Sequence, residues 1–367
     1  MRVAVIGAGS WGTALALVLA EAGHEVVLWA RTPEVARAIN EEHRNPRYLS
    51  DYRLPSAIRA TADYACACEG AEAVVIVTPS AALRSVAADL RELIAPGTPI
   101  VICSKGVEEK TGLLPIDTFA AELGNAGRMA VLSGPTHAEE VICRKPSAAV
   151  VASADEGTAL FFRDLFATRF FRTYTSDDPV GVELCAAFKN VIAIAVGISY
   201  GMGFGDNTAA MLITRGLAEM SRMVVAAGGE ALTCMGLGGA GDMVVTCMSQ
   251  HSRNRRFGEQ YVARGLTLDD FTAQTHMVVE GAIACKTLAT LEARYGVDLP
   301  LTDTVRSVVW EGVNPREAAA ALIDRPLKSS TSKLVPAVQP ERRDGGAVLK
   351  QRSMALLVWG FGPFCLP

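Results

Sequence analysis

The sequence has few of the features that mark metal-binding, secreted or nucleic-acid-binding proteins. Its nine cysteines are scattered, none forms a CxxC pair, and none has metal-ligand spacing with a histidine. This pattern is typical of reduced thiols, so we expect no metal site. A net charge of -4 over 367 residues argues against a polyanion-binding surface, so we expect no nucleic-acid partner. The longest apolar run, residues 191–205, is short and interrupted by glycines, so we expect no membrane span.

The start of the chain has no leader-like pattern. Met1 runs directly into a strand-like run, so we expect no secretory or transit segment and a cytoplasmic location. Half of the residues are hydrophobic and 20% are charged, which is typical of folded globular proteins. A chain of this length is long enough for two or three domains, each with its own core.

The first half of the chain alternates apolar strand-like runs with helix-like stretches. The runs are RVAVI (2–6), EVVLWA (25–30), AVVIVT (73–78), PIVICS (99–104), MAVLS (129–133) and SAAVVA (147–152). Because each run is apolar throughout, we expect strands that are buried on both faces, as in a parallel sheet. The alternation predicts an N-terminal α/β domain at 1–179 with a doubly wound, Rossmann-type sheet.

The pattern changes at about residue 180, where stretches rich in Ala, Leu and Met replace the strand-like runs. We therefore expect an all-helical second domain at 180–328, with the boundary near Pro179. The stretch 329–367 carries loop formers and charge without periodicity and then a short apolar end. We interpret it as a disordered extension.

A glycine motif follows the first predicted strand. Gly7, Gly9 and Gly12 form G-x-G-x-x-G in VAVIGAGSWGTALA, directly before a helix-like stretch. Gly7 permits the tight turn, Gly9 lets the backbone approach a pyrophosphate, and Gly12 allows close packing of helix and strand. The motif in this context predicts a dinucleotide site. The alternative is a tight turn that binds no ligand.

Arg31 occupies the position that decides between the two nicotinamide cofactors. NAD sites usually carry an acid at the end of the second strand, but here that strand ends in LWARTPE. A guanidinium group suits a 2′-phosphate, so the sequence favours NADP, with NAD possible. The alternative is a solvated loop arginine.

Two further motifs follow predicted strands of the first domain. Lys105 in CSKGVEEKTG comes directly after one strand, and Gly134 and Thr136 in LSGPTHAEEV follow another. The carboxyl edge of an open α/β sheet is where ligands bind, so these residues are candidates for the site. Taken alone, Lys105 is more simply interpreted as an ordinary surface lysine.

The helical half contains two candidate polar groups. Asp242 and Thr246 in GAGDMVVTC lie one helical turn apart and therefore share a face. Arg253 and Asn254 belong to SRNRRFG, a basic segment at a predicted helix start. The simpler interpretations are a helix cap for Asp242 and a solvated helix start for the basic segment.

Lys189 lies in the apolar stretch ELCAAFKNVIAIAVG. Leaving a buried charge there without a partner would be costly. Burial lowers the pKa of a lysine and a nearby carboxylate raises it again, so a lysine held this way can exchange a proton with a reacting oxygen. We therefore interpret Lys189 as a catalytic residue.

Seven motifs together resemble one family, the bacterial-type NAD(P)-dependent glycerol-3-phosphate dehydrogenases. They are GAGSWGTALA, SKGVEEKTG, LSGPTHAEEV, CAAFKNVIAIAVGI, GLGGAGDMVVTC, SRNRRFG and MVVEG. They appear in the family's order over about residues 1–325. Two details differ: the family more often has serine at Thr136, and THAEE replaces the commoner SFAKE.

The resemblance implies specific site residues. Beyond the three glycines, the implied cofactor contacts are Ser10, Trp11, Arg31, Lys105, Ala138, Arg253, Val278 and Glu280. The implied substrate contacts are Lys105, Gly134, Thr136, Lys189, Asp242, Ser252, Arg253 and Asn254. Lys189 resembles the family's proton acceptor. We expect Lys105, Asp242 and Thr246 to complete the catalytic group.

The implied reaction is the reversible, NAD(P)H-dependent reduction of dihydroxyacetone phosphate to sn-glycerol 3-phosphate, which feeds glycerophospholipid synthesis. We expect a homodimer, because apolar surfaces of such helical domains often pair. Two alternatives stay open: a related β-hydroxyacid or ketopantoate-type reductase, and a non-catalytic NADP-binding sensor. A phosphate-bearing substrate needs the SRNRR segment, and a sensor does not need a pairing of Lys189 with Asp242.

Overall fold

The computed structural model describes residues 1–124, 128–275 and 278–325. The predicted extension at 329–367 lies outside the described residues. The strands are β1 (Arg2–Ile6), β2 (Glu25–Trp29), β3 (Ile58–Thr61), β4 (Ala73–Ile76), β5 (Ile100–Ile102), β6 (Met129–Ser133), β7 (Ser147–Ala152) and β8 (Phe171–Ser176). The helices of the first half are α1 (Ser10–Glu21), α2 (Pro33–Glu42), α3 (Tyr64–Cys68), α4 (Leu83–Leu90), α5 (Pro115–Leu123), α6 (Ala138–Val141) and α7 (Glu156–Phe166). The helices of the second half are α8 (Pro179–Gly201), α9 (Asp206–Ala226), α10 (Asp242–Met248), α11 (Arg253–Arg264), α12 (Leu268–Thr275), α13 (Glu280–Tyr295), α14 (Pro300–Glu311) and α15 (Pro315–Ile323).

The eight strands form one sheet in the order β3-β2-β1-β4-β5-β6-β7-β8. The first six strands in this order pair in parallel. Because β1 lies between β2 and β4, the strand order reverses there, and the loop after β1 opens into the crevice where α/β sheets bind ligands. The prediction of a doubly wound Rossmann-type sheet followed by a helical half is confirmed. The predicted domain boundaries at 179 and 328 stay predictions.

β7 differs from the predicted parallel arrangement. It pairs antiparallel with β6, so that Ser133 lies opposite Val150, and it pairs in parallel with β8. A parallel return needs a crossover helix long enough to recross the sheet, but the connection from β6 to β7 contains only the four-residue helix α6. The chain therefore turns back at the carboxyl edge of β6. Composition alone does not reveal this, since a strand buried on both faces has the same apolar composition in either direction.

Two apolar layers enclose the sheet, and a third core fills the helical half. Alternate residues of each central strand point to opposite layers: Val3 and Val5 of β1 pack with α1, whereas Ala4 and Ile6 pack on the other face. The third core is built around α8, which is buried from Gly181 to Ser199. A helix that is apolar on every side is stable in water only inside a protein.

α8 is also the one described helix whose length and composition would allow it to cross a membrane, but its whole apolar stretch is buried inside the protein. It crosses α11 at close range. A Cβ on Gly197 would lie 2.0 Å from the carbonyl oxygen of Arg255, and a Cβ on Gly258 would lie 2.3 Å from that of Ile194. The two glycines therefore bring the first two turns of α11 close to α8, which carries Lys189.

Candidate active site

The loop between β1 and α1 carries the three glycines of the predicted dinucleotide site. Gly7 has a φ of 124°, a conformation that favours glycine, and an added Cβ would lie 2.7 Å from the carbonyl oxygen of Val77. A Cβ on Gly12 would lie 1.8 Å from the carbonyl oxygen of Gly7, so helix and strand could not pack as they do. A Cβ on Gly9 would meet nothing within 4 Å. The space over Gly9, at the N-terminus of α1, can therefore hold a pyrophosphate against backbone N–H groups.

Two buried polar atoms near this loop lack a hydrogen-bond partner among the described residues. They are the indole Nε1 of Trp11, on α1, and the hydroxyl of Thr78, just beyond β4. Buried polar groups normally find a partner, and an orphaned group beside an open cradle points to a ligand. The residues around the glycine loop therefore fit a dinucleotide.

Asn45 is a buried residue of this region that the sequence interpretation missed. Its side-chain amide donates hydrogen bonds to the carbonyl oxygen of Ala8 at 2.9 Å and to the hydroxyl of Thr13 at 2.8 Å. Its own carbonyl oxygen accepts from the backbone N–H groups of Arg47 and Tyr48. Asn45 thus fixes the glycine loop from the segment after α2. A single asparagine in a loop gives no signal of this role, because the contact depends on the fold of the segment.

The other predicted cofactor residues are distributed over both halves of the chain. Ser10 begins α1, and Ala138 begins α6, which packs against α1. Arg31 is exposed beyond the end of β2, where it is free to reach a ligand. Val278 is exposed two residues before α13 begins, and Glu280 is the first residue of that helix. Their roles as cofactor contacts stay predictions.

The predicted catalytic side chains meet at one carboxylate. Asp242 forms ion pairs through Oδ1 with Lys189 and through Oδ2 with Lys105, the latter at 3.0 Å. The Thr246 hydroxyl donates to the carbonyl oxygen of Asp242 at 2.6 Å and lies 3.3 Å from Oδ1. Asp242 does not cap α10 through its side chain, so the helix-cap interpretation does not hold.

These groups come from three separate elements. Lys105 lies in the loop beyond the carboxyl end of β5, and Lys189 lies in the middle of α8. Asp242 is the first residue of α10, directly after a π-helical turn at Leu237–Gly241. The turn packs tightly, since a Cβ on Gly239 would lie 2.2 Å from the carbonyl oxygen of Cys234. Only a folded chain brings the three together, because they are far apart in sequence.

Burial and charge set the protonation of this cluster. The side chains of Lys189 and Asp242 are 6% and 3% exposed, whereas that of Lys105 is 16% exposed, so Lys105 lies nearer the surface. Burial lowers the pKa of Lys189 to about 7; Asp242 opposes this effect and the charge of Lys105 reinforces it. Burial also disfavours the charge on Lys105, but Asp242, Lys189 and Glu280 together outweigh this effect, and the pKa of Lys105 is raised. Burial raises the pKa of Asp242, but the two ammonium groups outweigh it and hold that pKa low.

Ser133 is a second residue that the sequence interpretation missed. It is the last residue of β6, and its hydroxyl donates a hydrogen bond to Oδ2 of Asp242 at 3.2 Å. The only available sequence signal was its position at the carboxyl edge of a predicted strand. That position also holds for serines with no role in a site.

A chain of amide hydrogen bonds joins α8 to the first turns of α11 and α13. The side chain of Asn254 donates to that of Asn190 at 2.9 Å, and the Asn190 amide donates to Glu280 at 3.2 Å. The side-chain oxygen of Asn254 also accepts from the backbone N–H of Gly281 at 2.9 Å. Since Asn190 follows Lys189, this chain fixes the start of α11 beside the lysine.

The predicted phosphate-binding segment begins a helix, as the sequence indicates. Ser252 is buried and caps α11, because its hydroxyl accepts from the backbone N–H of Arg255. Arg253, the first residue of α11, is exposed. The N-terminal turn of α11 and this guanidinium group suit an anion.

Gly134 and Thr136 follow β6 at the same edge as Ser133. Gly134 has a φ of 155°, and a Cβ there would lie 2.8 Å from the carbonyl oxygen of Ala148. The Thr136 hydroxyl donates to the carbonyl oxygen of Gly134 at 3.1 Å, so it stabilises this turn. Their roles as substrate contacts stay predictions.

His137 is one of the residues at which the segment THAEE departs from the commoner family pattern SFAKE. Its Nε2 lies 3.5 Å from the carbonyl oxygen of Val245, and its ring meets that of His251 edge to face with centroids 6.0 Å apart. Burial, together with the charge of Lys189, lowers the pKa of His137. His137 therefore favours the neutral form next to the lysine cluster.

The arrangement can support proton transfer beside a bound anion. A lysine with a lowered pKa can give and take a proton near neutral pH, a second lysine can stabilise negative charge on oxygen, and a carboxylate orients both. The glycine loop and the start of α11 provide two separate places for phosphate groups.

Comparisons with known proteins identify relatives over most of the chain. Residues 2–159 match the N-terminal model of NAD-dependent glycerol-3-phosphate dehydrogenase, and residues 178–320 match its C-terminal model. A glycerol-3-phosphate dehydrogenase [NAD(P)+] of Streptomyces griseus is 48% identical over 329 residues, 89% of this chain and 98% of the relative. The protein with that name from Thermobifida fusca is 46% identical over the same length.

A solved structure agrees with these sequence matches. The crystal structure of glycerol-3-phosphate dehydrogenase from Coxiella burnetii superposes with a TM-score of 0.84 at 38% identity. The match covers 88% of this chain and 99% of that protein. Both halves of the fold are therefore shared.

Proposed function

This chain belongs to the NAD-dependent glycerol-3-phosphate dehydrogenase family, as its motifs predict, and we propose that it reduces dihydroxyacetone phosphate reversibly to sn-glycerol 3-phosphate with a nicotinamide cofactor. The observation that carries the proposal is the buried Asp242 carboxylate that holds Lys105 and Lys189 together. A sensor that only binds the cofactor has no use for this cluster. A related β-hydroxyacid or ketopantoate-type reductase is disfavoured, because both family models match.

Lys189 exchanges the proton of the reaction. A bound nicotinamide would supply a hydride to the ketone carbon. The Lys189 ammonium group then donates a proton to the ketone oxygen, on which negative charge builds. In the reverse direction the neutral amine removes the proton from the alcohol. Because the pKa of Lys189 lies at about 7, both protonation states are accessible near neutral pH.

Lys105, Asp242 and Thr246 support this transfer. Lys105 keeps its positive charge through its pairing with Asp242 and stabilises the developing oxyanion. Asp242 orients both amines, and Thr246, in the next turn of α10, donates to the backbone carbonyl oxygen of Asp242 and lies 3.3 Å from Oδ1.

The substrate phosphate binds at the start of α11. Arg253 can pair with a phosphate through two parallel hydrogen bonds, and Asn254 lies in the same first turn. Ser252, Gly134 and Thr136 complete the predicted substrate contacts. Binding energy from the phosphate positions the ketone for reaction.

The cofactor is NADP, with NAD as the less favoured alternative. Arg31 lies exposed where NAD-preferring sites usually carry an acid, which supports an interaction with a 2′-phosphate.

The enzyme works in the cytoplasm, where its product supplies glycerophospholipid synthesis.

The protein forms a homodimer through its helical half. Apolar side chains are exposed there, among them Leu232, Met235, Val244 and Met248. Val244 and Met248 also line an open surface depression of about 720 Å³ on α10. Clusters of exposed apolar side chains are typical of protein–protein contact surfaces, which supports the formation of a homodimer.

The reaction is tested by following the absorbance of NADPH with dihydroxyacetone phosphate as substrate, and then that of NADH. We expect oxidation of both cofactors, with a higher kcat/KM for NADPH. Dihydroxyacetone, which lacks the phosphate, is the matched control and should react far more slowly. Faster turnover of ketopantoate than of dihydroxyacetone phosphate would overturn the proposal, as would an absence of turnover with any ketone.

A further inference from the structure

Ser133 is a buried residue that contacts the lysine cluster but takes no part in the proton transfer described for Lys189. Its hydroxyl donates to Oδ2 of Asp242 at 3.2 Å, on the oxygen that also pairs with Lys105. Both residues are almost fully buried, at 4% exposure for Ser133 and 2% for Asp242. In so buried a place a hydrogen bond to a charged group contributes more than one at the surface.

The sheet fixes where the Ser133 hydroxyl lies. Ser133 is the last residue of β6 and lies opposite Val150 of β7 in the strand pairing. The next residue, Gly134, lies so close to β7 that a Cβ would come within 2.8 Å of the Cα of Ala149. The backbone on both sides of Ser133 is therefore held against the neighbouring strand.

Among the four groups around the carboxylate, Ser133 is the only one on a strand. Lys105 and Lys189 reach Asp242 through long side chains with several rotatable bonds, and Thr246 belongs to the same helix as Asp242. Ser133 has a short side chain with a single χ angle, and the sheet fixes its backbone. It can therefore hold the Asp242 carboxylate at a fixed position relative to the carboxyl edge of the sheet. Its contact also links α10 directly to the Rossmann half.

The hydroxyl is neutral, and this matters in a cluster that already contains two amines. A third cation would further disfavour the charged form of Lys189, whereas a hydroxyl stabilises the carboxylate without adding charge. The charged and titratable groups around Lys189 are Asp242 on α10, Lys105 after β5, His137 before α6 and the Cys247 thiol. Glu280 of α13 acts on the cluster through Lys105.

We propose that Ser133 is a positioning residue of the proposed reaction: it anchors the Asp242 carboxylate to the sheet and so sets how strongly that carboxylate holds the proton of Lys189. This inference rests on the proposed function. Loss of the hydroxyl removes one hydrogen-bond donor from the Asp242 carboxylate. The negative charge of the carboxylate is then less compensated, and it attracts the Lys189 ammonium group more strongly. The lysine then gives up its proton at higher pH.

The test compares the pH dependence of kcat in both directions for the wild type and Ser133→Ala. Reduction needs the ammonium form and falls as pH rises through the pKa of Lys189, while oxidation needs the neutral amine and rises there. The fall in the reduction rate and the rise in the oxidation rate should both occur at higher pH in the variant, by roughly half to one pH unit. We also expect kcat to fall about 10-fold, because Asp242 is less well placed, while NADPH affinity changes little.

Two further variants separate positioning from a general loss of stability. Ser133→Thr keeps the hydroxyl and should restore the wild-type pH profile, whereas Ser133→Cys keeps the size, donates only weakly and should follow the alanine variant. Ser153→Ala is the matched control: Ser153 is also buried and donates to the carbonyl oxygen of Met129 at 2.7 Å, away from the cluster. The pH dependence of kcat for Ser153→Ala should match that of the wild type in both directions.

The outcomes for Ser133 and for the proposed function are distinguishable. A wild-type enzyme without dihydroxyacetone phosphate turnover contradicts the proposed function itself. An active wild type whose pH dependence of kcat coincides with that of Ser133→Ala and Ser133→Cys contradicts the role of Ser133 alone. Should Ser133→Ala not fold, the comparison of Ser133→Cys with Ser133→Thr decides the question in the same way.

Discussion

Lys189 and Lys105 share one buried carboxylate, and their positions decide which amine releases a proton near neutral pH. Two ammonium groups beside a single carboxylate leave an uncompensated positive charge, which is costly where water is excluded. Lys189 is the more buried of the two, so its charged form is less stable. Its pKa of about 7 and the raised pKa of Lys105 express this asymmetry. Lys189 is thereby suited to proton transfer, whereas Lys105 keeps its positive charge near neutral pH.

At the residue scale, Lys189→Ala tests this division of roles. We expect kcat to fall roughly 10²-fold or more, because the proton donor is lost, while NADPH affinity changes little. The variant should fold, since Lys105 still neutralises Asp242. Steady-state rates and the NADPH dissociation constant measure the two effects, with Lys145→Ala, an exposed lysine, as the control. Steady-state rates near those of the wild type would contradict the assigned role.

The sequence allowed the charged residues of the cluster to be predicted, but not its neutral members. Lys189 is conspicuous because a charge in an apolar helix needs an explanation, and Lys105 and Asp242 lie in recognisable motifs. Ser133 and Asn45 have no such signal. Small polar residues are common at strand ends and in loops, and their contacts depend on how separate elements pack.

At the scale of the elements, α8 connects the two halves of the protein. Glu183, near its start, accepts a hydrogen bond from the backbone N–H of Ile116, at the N-terminus of α5, at 2.8 Å. Burial raises the pKa of Glu183 to about 8; the Ile116 N–H lowers it and the charge of Asp117 adds to the rise. The carboxyl group is thus neutral in the folded protein under conditions where it would be charged in the unfolded chain.

Glu183→Gln should change how stability depends on pH. Between the ordinary pKa of 4.5 and about 8, the folded state binds a proton at Glu183 that the unfolded chain lacks, so the wild type loses stability as pH rises through this window. Glutamine keeps the acceptor for Ile116 but does not titrate. We expect the variant to gain stability relative to the wild type as pH rises, by about 2–4 kcal/mol above the pKa.

Urea unfolding midpoints, measured well below and well above the pKa of Glu183, give this difference. Glu92→Gln, at an exposed glutamate, is the matched control and should follow the wild type at both pH values. A constant offset between Glu183→Gln and the wild type across the whole range would show that Glu183 is ionised in the folded protein.

The strands show which elements can be predicted from apolar patterning. Six predicted strands are present, and each is buried on both faces for most of its length. IRAT of β3 and FRTYTS of β8 were missed, because they lie at the edges of the sheet and carry exposed polar residues. The direction of β7 depends on the connection before it rather than on its own residues.

At the scale of the whole molecule, the shared core of the family ends before the chain does. The relative from Streptomyces griseus is matched over 98% of its length by 89% of this chain, and the C-terminal family model ends at residue 320. The last described helix, α15, packs against α14 within this shared part. Residues beyond 320 therefore lie outside the C-terminal family model.

Removal of residues 329–367 tests whether this stretch contributes to the enzyme. We expect kcat/KM for dihydroxyacetone phosphate to stay within about 2-fold of that of the full chain, because every predicted site residue precedes the cut and chain termini tolerate change best. Circular dichroism checks the fold, and light scattering compares the oligomeric state of the two forms. A well-folded truncated protein with much lower activity would give the stretch a role in catalysis. A truncated protein that becomes monomeric would show that the stretch, rather than the helical half alone, holds the proposed dimer together.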